Sequence, residues 1–450
     1  MSELDVYLEQ ELAGTLSHNP VSNQFAFSYS AQWLDNPRRY PLSPHLPLEV
    51  TGGATAEVHS SAVRNFFDNL LPEGRALDEA AAANKVSKSN LVGLMVALGR
   101  ETAGALSLRL RHGKGKVAGF SPIVDVRRPL SKAELSERIR ARPREPFSVW
   151  DGKVRMSIAG YQDKIAIFED KGEWFLIDSA QVASTLILKP EPLSGVMAGL
   201  TSNEFFCMLL AKAAGLPTAD VRLLHVPEPV LAISRFDRIK VQDTVRRLHV
   251  IDGCQALGIS SMLKYERPYG DNADAARYRI GASLPQLFRM LQSFPDPAAQ
   301  RLQLLRWAIF QVLIGNTDAH AKNVSFFNDD NGMRLAPTYD LICTLAFVGG
   351  NVDHTFAMAI GDAFTEPHMT PYQWAHLGHL VQLQPRLIAN ELRRMATRLQ
   401  DTLRDTMQRS IDQGADVATV DRICAVVERI ITQHLKIAKE VAVIEPGLFA

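Results

Sequence analysis

Asp318 and Asn323 stand five positions apart in the polar stretch GNTDAHAKN (315–323). Asp340 follows after VSFF (324–327), the turn NDDNG (328–332) and MRLAPTYD (333–340). Upstream, Lys189 ends the apolar run Thr185 to Leu188, and SIAGYQDK (157–164) forms a small-residue turn. These residue types suit phosphoryl transfer. Its transition state has little covalent chemistry to assist, so catalysis is positioning plus charge neutralisation. Mg²⁺ takes hard oxygen ligands, one or two from protein and the rest from phosphates and water; Asn323 and Asp340 are the candidates. A carboxylate beside the attacking hydroxyl, Asp318, orients it and accepts its proton. Lys189 can hold phosphates as a point charge, and backbone N–H groups of a tight loop can cradle the others. Each piece alone is common; the ordered set is the more specific signal.

The elements that must position these residues follow from periodicity. KVRMS (153–157), KIAIF (164–168), EWFLI (173–177) and TLILK (185–189) read as strands, with Asp170-Lys171-Gly172 as a hairpin turn. Further strands are expected at 230–236 and 246–251. One helix, TSNEFFCMLLAKAAG (201–215), interrupts them before Pro217. Asp296-Pro297 opens a long helix through WAIFQVLIG (307–315), and three more helical patterns fill 371–441. The first 120 residues read as a small α+β module. In RRPLSKAELSERIRARPREP (127–146), Ser131 and Glu134 form a capping-box pattern and two prolines close the helix. The expected organisation is an N-terminal module (1–146), a sheet-rich lobe (147–252) and a helical lobe (253–450), an α+β chain with a cleft between its lobes.

Composition excludes several alternatives. Lys and Arg total 49 against 49 Asp and Glu, so the whole surface is not that of a nucleic-acid or membrane binder. The longest apolar stretch, 341–350, falls short of the ~18 residues a membrane span needs. Four dispersed cysteines among apolar neighbours read as buried, reduced thiols. The reading is a soluble, cytoplasmic, multi-domain chain.

Eight segments, in order, resemble the HipA-type serine/threonine kinases, the toxin halves of bacterial toxin–antitoxin pairs. NFFDNLLPEG (65–74) resembles the family's N-terminal signature, RMSIAGYQDK (155–164) its phosphate loop, and LILKPE (186–191) its ATP-lysine segment. SNEFFCMLLAKAAGLP (202–217) is similar to its following helix, and ISRFDR (233–238) and DGCQALG (252–258) to the segments around its hinge. LIGNTDAHAKN (313–323) resembles its catalytic loop and LAPTYDL (335–341) its metal-binding segment. The resemblance implies a two-lobed kinase fold with Asp318 as catalytic base and Asn323 and Asp340 as Mg²⁺ ligands. It implies that ATP is held by Ile158, Ala159, Gly160, Tyr161, Gln162, Asp163, Lys164 and Lys189, by the hinge backbone at Val250, Ile251 and Asp252, and by His320, Lys322 and Asn323. Ser157 matches a serine whose autophosphorylation silences the kinase. Two departures stand out. Tyr161 occupies a position where a small residue is usual, and Leu341-Ile342 follows the metal aspartate where ordinary protein kinases carry Phe-Gly. The implied substrate is a protein of the translation machinery such as an aminoacyl-tRNA synthetase. The implied partner is a helix-turn-helix, HipB-like antitoxin, through which the chain meets operator DNA.

Other readings of the same residues stand beside these. Ser157 fits a strand-end cap, and Lys189 a surface lysine. Glu204 fits either an ion-pair partner for Lys189 or the second half of a Thr201–Glu204 capping box. His376 and His379 share a helix face without a third metal ligand, and the arginines of 127–144 fit a solvated face or a partner-facing patch. Two rival functions are a catalytically weak kinase-fold co-repressor and a small-molecule kinase. The retained Asp318, Asn323, Asp340 and Lys189 argue against the first, and NFFDNLLPEG against the second.

Overall fold

The computed structural model describes residues 2–49, 55–99, 101–111, 126–155, 162–179, 182–349 and 352–449. The chain forms two compact units. One comprises Met1–Pro190, His225–Ser261 and Phe326–Met333; the other comprises Glu191–Leu224, Met262–Ser325 and Arg334–Ala450.

The first unit carries two larger antiparallel sheets beside short two-stranded pairings. Strands Ser2–Leu8 and Glu11–Asn19 form a hairpin, flanked by Gln24–Tyr29 on one side and Leu106–Leu110 on the other. Alternation buries Leu4, Val6, Leu8 and Leu16, and helix Ala56–Asp68 packs on strand Gln24–Tyr29 with Phe67 against Phe27. In the second sheet, strands Pro229–Ser234, Leu186–Pro190, Ile165–Asp170, Glu173–Asp178 and Val126–Leu130 lie side by side in that order. The 170/173 pairing leaves Lys171-Gly172 as a two-residue turn with φ of +49° and +84°, the left-handed geometry that suits a hairpin. Val126–Leu130, expected with the N-terminal module, pairs with Glu173–Asp178 in this sheet.

The two sheets are joined by a buried ionic cluster built from ISRFDR. Asp237 accepts from Arg235 Nε at 3.0 Å and Nη2 at 2.7 Å, from Arg238 Nη1 at 2.8 Å and from the Gly104 N–H at 2.8 Å. Arg235 also donates to the Ser184 hydroxyl and to the Thr102 carbonyl. Burial alone would raise the Asp237 carboxyl, but the two guanidiniums outweigh it and hold it well below the usual carboxylate range.

The Ser131–Glu134 box forms only in half. Ser131 accepts from the Glu134 N–H, whereas the Glu134 carboxylate turns to Arg128 in a bidentate pair. Arg138 is taken by Glu145 and the carbonyls of Pro146 and Val149, and Arg142 is buried against Ile139 O and Asp163. These two arginines serve the unit's own structure.

The second unit is helical. Asp296 caps helix Pro297–Leu313 through the Ala299 N–H, with Pro297 in the first turn as the sequence predicts. Helices Pro371–Leu380, Pro385–Asp412 and Val417–Val441 match the three expected patterns, and helix Leu200–Ala213 packs against the last two. The Thr201–Glu204 capping box is absent. The helix begins at Leu200, and Glu191 accepts from the N–H groups of Gly199, Leu200 and Thr201 and from the Thr201 hydroxyl. A carboxylate ten residues upstream of Thr201 therefore supplies the anion this helix start attracts. Glu204, with no capping duty, is fully buried. All four cysteines are buried and none is in a disulfide. No described helix is long and apolar enough to cross a membrane.

Candidate active site

In the helical unit, helix Pro297–Leu313 delivers the chain to Gly315, whose φ of +67° permits the turn into the polar loop. The loop is anchored from below. Thr344 Oγ1 accepts from the Thr317 N–H at 2.7 Å and donates to Gly315 O at 2.9 Å, and Asn316 Nδ2 donates to Gln311 Oε1 at 2.8 Å. Asp318 has its backbone fixed from both sides. Its N–H donates to Asn316 Oδ1 at 3.0 Å, and its carbonyl accepts from the His320 N–H at 2.8 Å and from Asn323 Nδ2 at 2.9 Å. That last bond sets the Asn323 amide: with Nδ2 committed, Oδ1 is the atom Asn323 offers to a cation.

Asp340 reaches the same loop by a separate route. Thr338 forms a bridge with Thr218, Tyr339 donates its hydroxyl to Lys322 O at 2.6 Å, and Cys343 is clasped by Asn203, with Nδ2 to Cys343 O at 3.0 Å and the Cys343 N–H to Oδ1 at 2.8 Å. Between these anchors Asp340 adopts φ +57°, a left-handed conformation that Asp tolerates better than most residues. The Asp340 carboxylate acts electrostatically on His320, as do the ammonium groups of Lys264 and Lys322. Burial, reinforced by the two lysines, pushes His320 down to about 3, so its ring is neutral at physiological pH. Asp318, His320, Lys322, Asn323 and Asp340 thus form one group. Two hard oxygen donors beside buried ammonium groups fit Mg²⁺ carrying a polyphosphate.

Two further members, Lys264 and Tyr265, are not signalled by any motif or periodicity in the chain. Tyr265 donates its hydroxyl to Asp318 Oδ1 at 2.6 Å and sets its ring edge-to-face on His320 at 5.1 Å. Lys264 lies 5.4 Å over that ring, and its carbonyl accepts from the Ala321 N–H. A buried lysine in a loop without periodicity is the one local signal that could have drawn attention to them.

The remaining expected residues belong to the first unit. Lys189 is buried within strand Leu186–Pro190, and Lys164 is buried at the start of Ile165–Asp170. Gln162 Nε2 reaches Pro190 O at 3.5 Å, and Asp163 pairs with Arg142. Val250 and Ile251 are buried in strand Val250–Asp252. Asp252 caps the next helix in a capping box with Gln255. Gly104, at φ +73°, packs so closely on this strand that a Cβ would stand 2.8 Å from Val250 N and O. Ser157, Ile158, Ala159, Gly160 and Tyr161 lie outside the described residues. His376 faces Asp362 and stacks on Phe449, a packing role.

Comparison with known proteins places these features in a family. Residues 4–109 match the HipA N-terminal domain and residues 156–406 the HipA-like C-terminal domain. The chain is 34% identical over 407 residues to the serine/threonine-protein kinase toxin HipA of Shewanella oneidensis, covering 90% of this chain and 89% of that one. It is 33% identical over 418 residues to a putative kinase of Sinorhizobium fredii, covering 92% and 93%. Among solved structures, the Shewanella oneidensis HipA, HipB and operator DNA complex contains a chain superposing with a TM-score of 0.84 at 32% identity, over 98% of this chain and all of that one.

Proposed function

The chain belongs to the HipA family of serine/threonine-protein kinases, and on that premise we propose that it moves the γ-phosphoryl of ATP to a protein hydroxyl with Mg²⁺ as the metal. The observation that carries the reading is the convergence on one loop of Asp318, the fixed amide of Asn323 and the separately anchored Asp340. Asp318 orients the attacking hydroxyl and takes its proton. Asn323 Oδ1 and the Asp340 carboxylate hold the metal, whose contribution when bound is to neutralise charge on the phosphates. Lys322 and Lys189 add positive charge for the polyphosphate, neutral His320 packs the loop, and the backbone at Val250, Ile251 and Asp252 receives the adenine. The loop Ile158 to Lys164 supplies groups that hold the phosphates, and Ser157, immediately ahead of it in sequence, is the self-modification site that limits activity.

The substrate is a translation-machinery protein, an aminoacyl-tRNA synthetase being the type implied by the family resemblance. The partner is a HipB-like antitoxin that links the chain to operator DNA; the assembly of the Shewanella relative with HipB and operator supports this. The test is incubation of the full chain with ATP and Mg²⁺, followed by intact mass and peptide mapping. The parent chain should gain a phosphoryl group at Ser157, and Asp318→Gln should lose about 10²–10⁴-fold in rate while remaining folded. Equal rates in the two proteins would remove Asp318 from its role. A phosphate mapped elsewhere would remove Ser157 from its own.

A further inference from the structure

We propose that Tyr265 is a positioning residue for phosphoryl transfer, its hydroxyl holding one oxygen of Asp318 so that the other is presented to the substrate hydroxyl. The inference rests on Asp318 being the base. Three backbone hydrogen bonds already fix Asp318 up to its Cα. The side chain adds two torsions, χ1 and χ2, and the second, which turns the carboxylate, has a broad, roughly two-fold profile in aspartate. The Tyr265 bond to Oδ1, at 2.6 Å, has the length of a strong charge-assisted O–H···O⁻ bond and acts on that freedom.

A hydroxyl can fix its partner only if it is itself fixed. The chain around Tyr265 meets this condition on both sides. Ahead of it, Lys264 O accepts from the Ala321 N–H at 3.1 Å, tying the segment to the catalytic loop. Behind it, the Glu266 N–H donates to Ala357 O at 2.8 Å, and the buried Glu266 carboxylate accepts from Arg279 Nε at 2.6 Å and from the Ala359 N–H at 2.8 Å. The segment around Ala357 is in turn bonded to the catalytic loop, the Ala357 N–H donating to Thr317 O at 2.8 Å. Residues 264–266 are thus a strut between the loop that carries Asp318 and the segment 357–359, with the tyrosine ring braced edge-on against His320. Such an arrangement gives preorganisation: the carboxylate does not have to find its orientation when substrate arrives.

Tyr265→Phe removes the hydroxyl and keeps the ring contacts. ADP release and phosphate incorporation are measured on the phosphatase-treated full chain with ATP and Mg²⁺, in the parent and in Asp318→Asn. We expect kcat to fall roughly 10- to 100-fold, the loss of one hydrogen bond to a charged group. KM for ATP and the melting temperature should not move, and in Asp318→Asn the second substitution should cost nothing further. An unchanged kcat in Tyr265→Phe, with Asp318→Asn inactive, overturns the inference and leaves the base intact. An equal loss in both backgrounds, or a loss that tracks the melting temperature, assigns the tyrosine to packing and also overturns it. Full activity in Asp318→Asn removes the base itself, and the inference with it.

Discussion

Replacing Asp237 by Asn removes one charge and almost no volume from the cluster that joins the two sheets of the first unit. The carboxylate receives four hydrogen bonds, three of them from guanidiniums whose side chains are 2% and 1% exposed. An amide has one acceptor oxygen for those donors, and its NH₂ faces like charge. Glu101, 3.7 Å from Arg235, becomes the nearest remaining counter-charge. Breaking a buried pair by neutralising one member costs about 3–5 kcal/mol, because the partner charge stays buried. At an m-value of roughly 2–3 kcal/mol/M this lowers the urea midpoint by about 1–2.5 M. Urea unfolding followed by circular dichroism reads the change. A control in which Lys212, in its exposed pair with Asp220, becomes Ala should move the midpoint by less than about 0.5 M. A triple variant, Arg235→Met, Asp237→Leu and Arg238→Met, should regain much of the loss, since apolar replacement of a whole buried cluster is often neutral. A midpoint drop below about 0.3 M in Asp237→Asn would refute the reasoning, as would a triple variant worse than the single one.

Further outcomes are expected. His249 is fully buried with Nε2 donating to Leu42 O, and burial lowers it to about 4 from an ordinary 6.5. Between those values the unfolded chain binds the extra proton, so stability is intact above pH 6.5 and falls by about 3 kcal/mol on acidification to pH 4; His249→Gln should flatten that part of a pH–stability curve by about 1.4 kcal/mol per pH unit. Asp237, held low by its guanidiniums, contributes at pH values above about 4 and is lost only as pH falls further. Asp340→Asn should weaken Mg²⁺-dependent nucleotide binding by about 10–100-fold in calorimetry, and an unchanged affinity would count against Asp340 as a ligand. Gly104→Ala should cost about 1–3 kcal/mol in thermal unfolding, from its positive φ and the contact with Val250, and should weaken nucleotide binding if that strand receives adenine.

How much of this could be read from the chain depended on distance along it. Asp296-Pro297 opens its helix where local rules put it, and the period of 371–441 resolves into three helices because every signal lies within one turn of its effect. The α+β class follows from strand runs giving way to helical ones. The Thr201–Glu204 pattern fails for the opposite reason: the carboxylate that caps the helix comes from Glu191, outside any capping window. Tyr265 is invisible in the same sense, because it reaches Asp318 across fifty-three residues of chain and lies in a loop without periodicity. The Val126–Leu130 strand reads as part of the front module until its pairing with Glu173–Asp178 is known.

The ionic cluster around Asp237 also bears on how such chains are inherited. The two family domains stop at residue 109 and resume at 156, which makes the interval look like a natural point for recombination. Yet Thr102 and Gly104 on one side of that interval hydrogen-bond to Arg235, Asp237 and Arg238 on the other. A chimera assembled there from two divergent relatives would bring unmatched donors and acceptors into a dry interior. The buried bonds thus tie residues 101–104 to 235–238, and a chimera joined within the interval is expected to keep its stability where both ends of the cluster come from one parent.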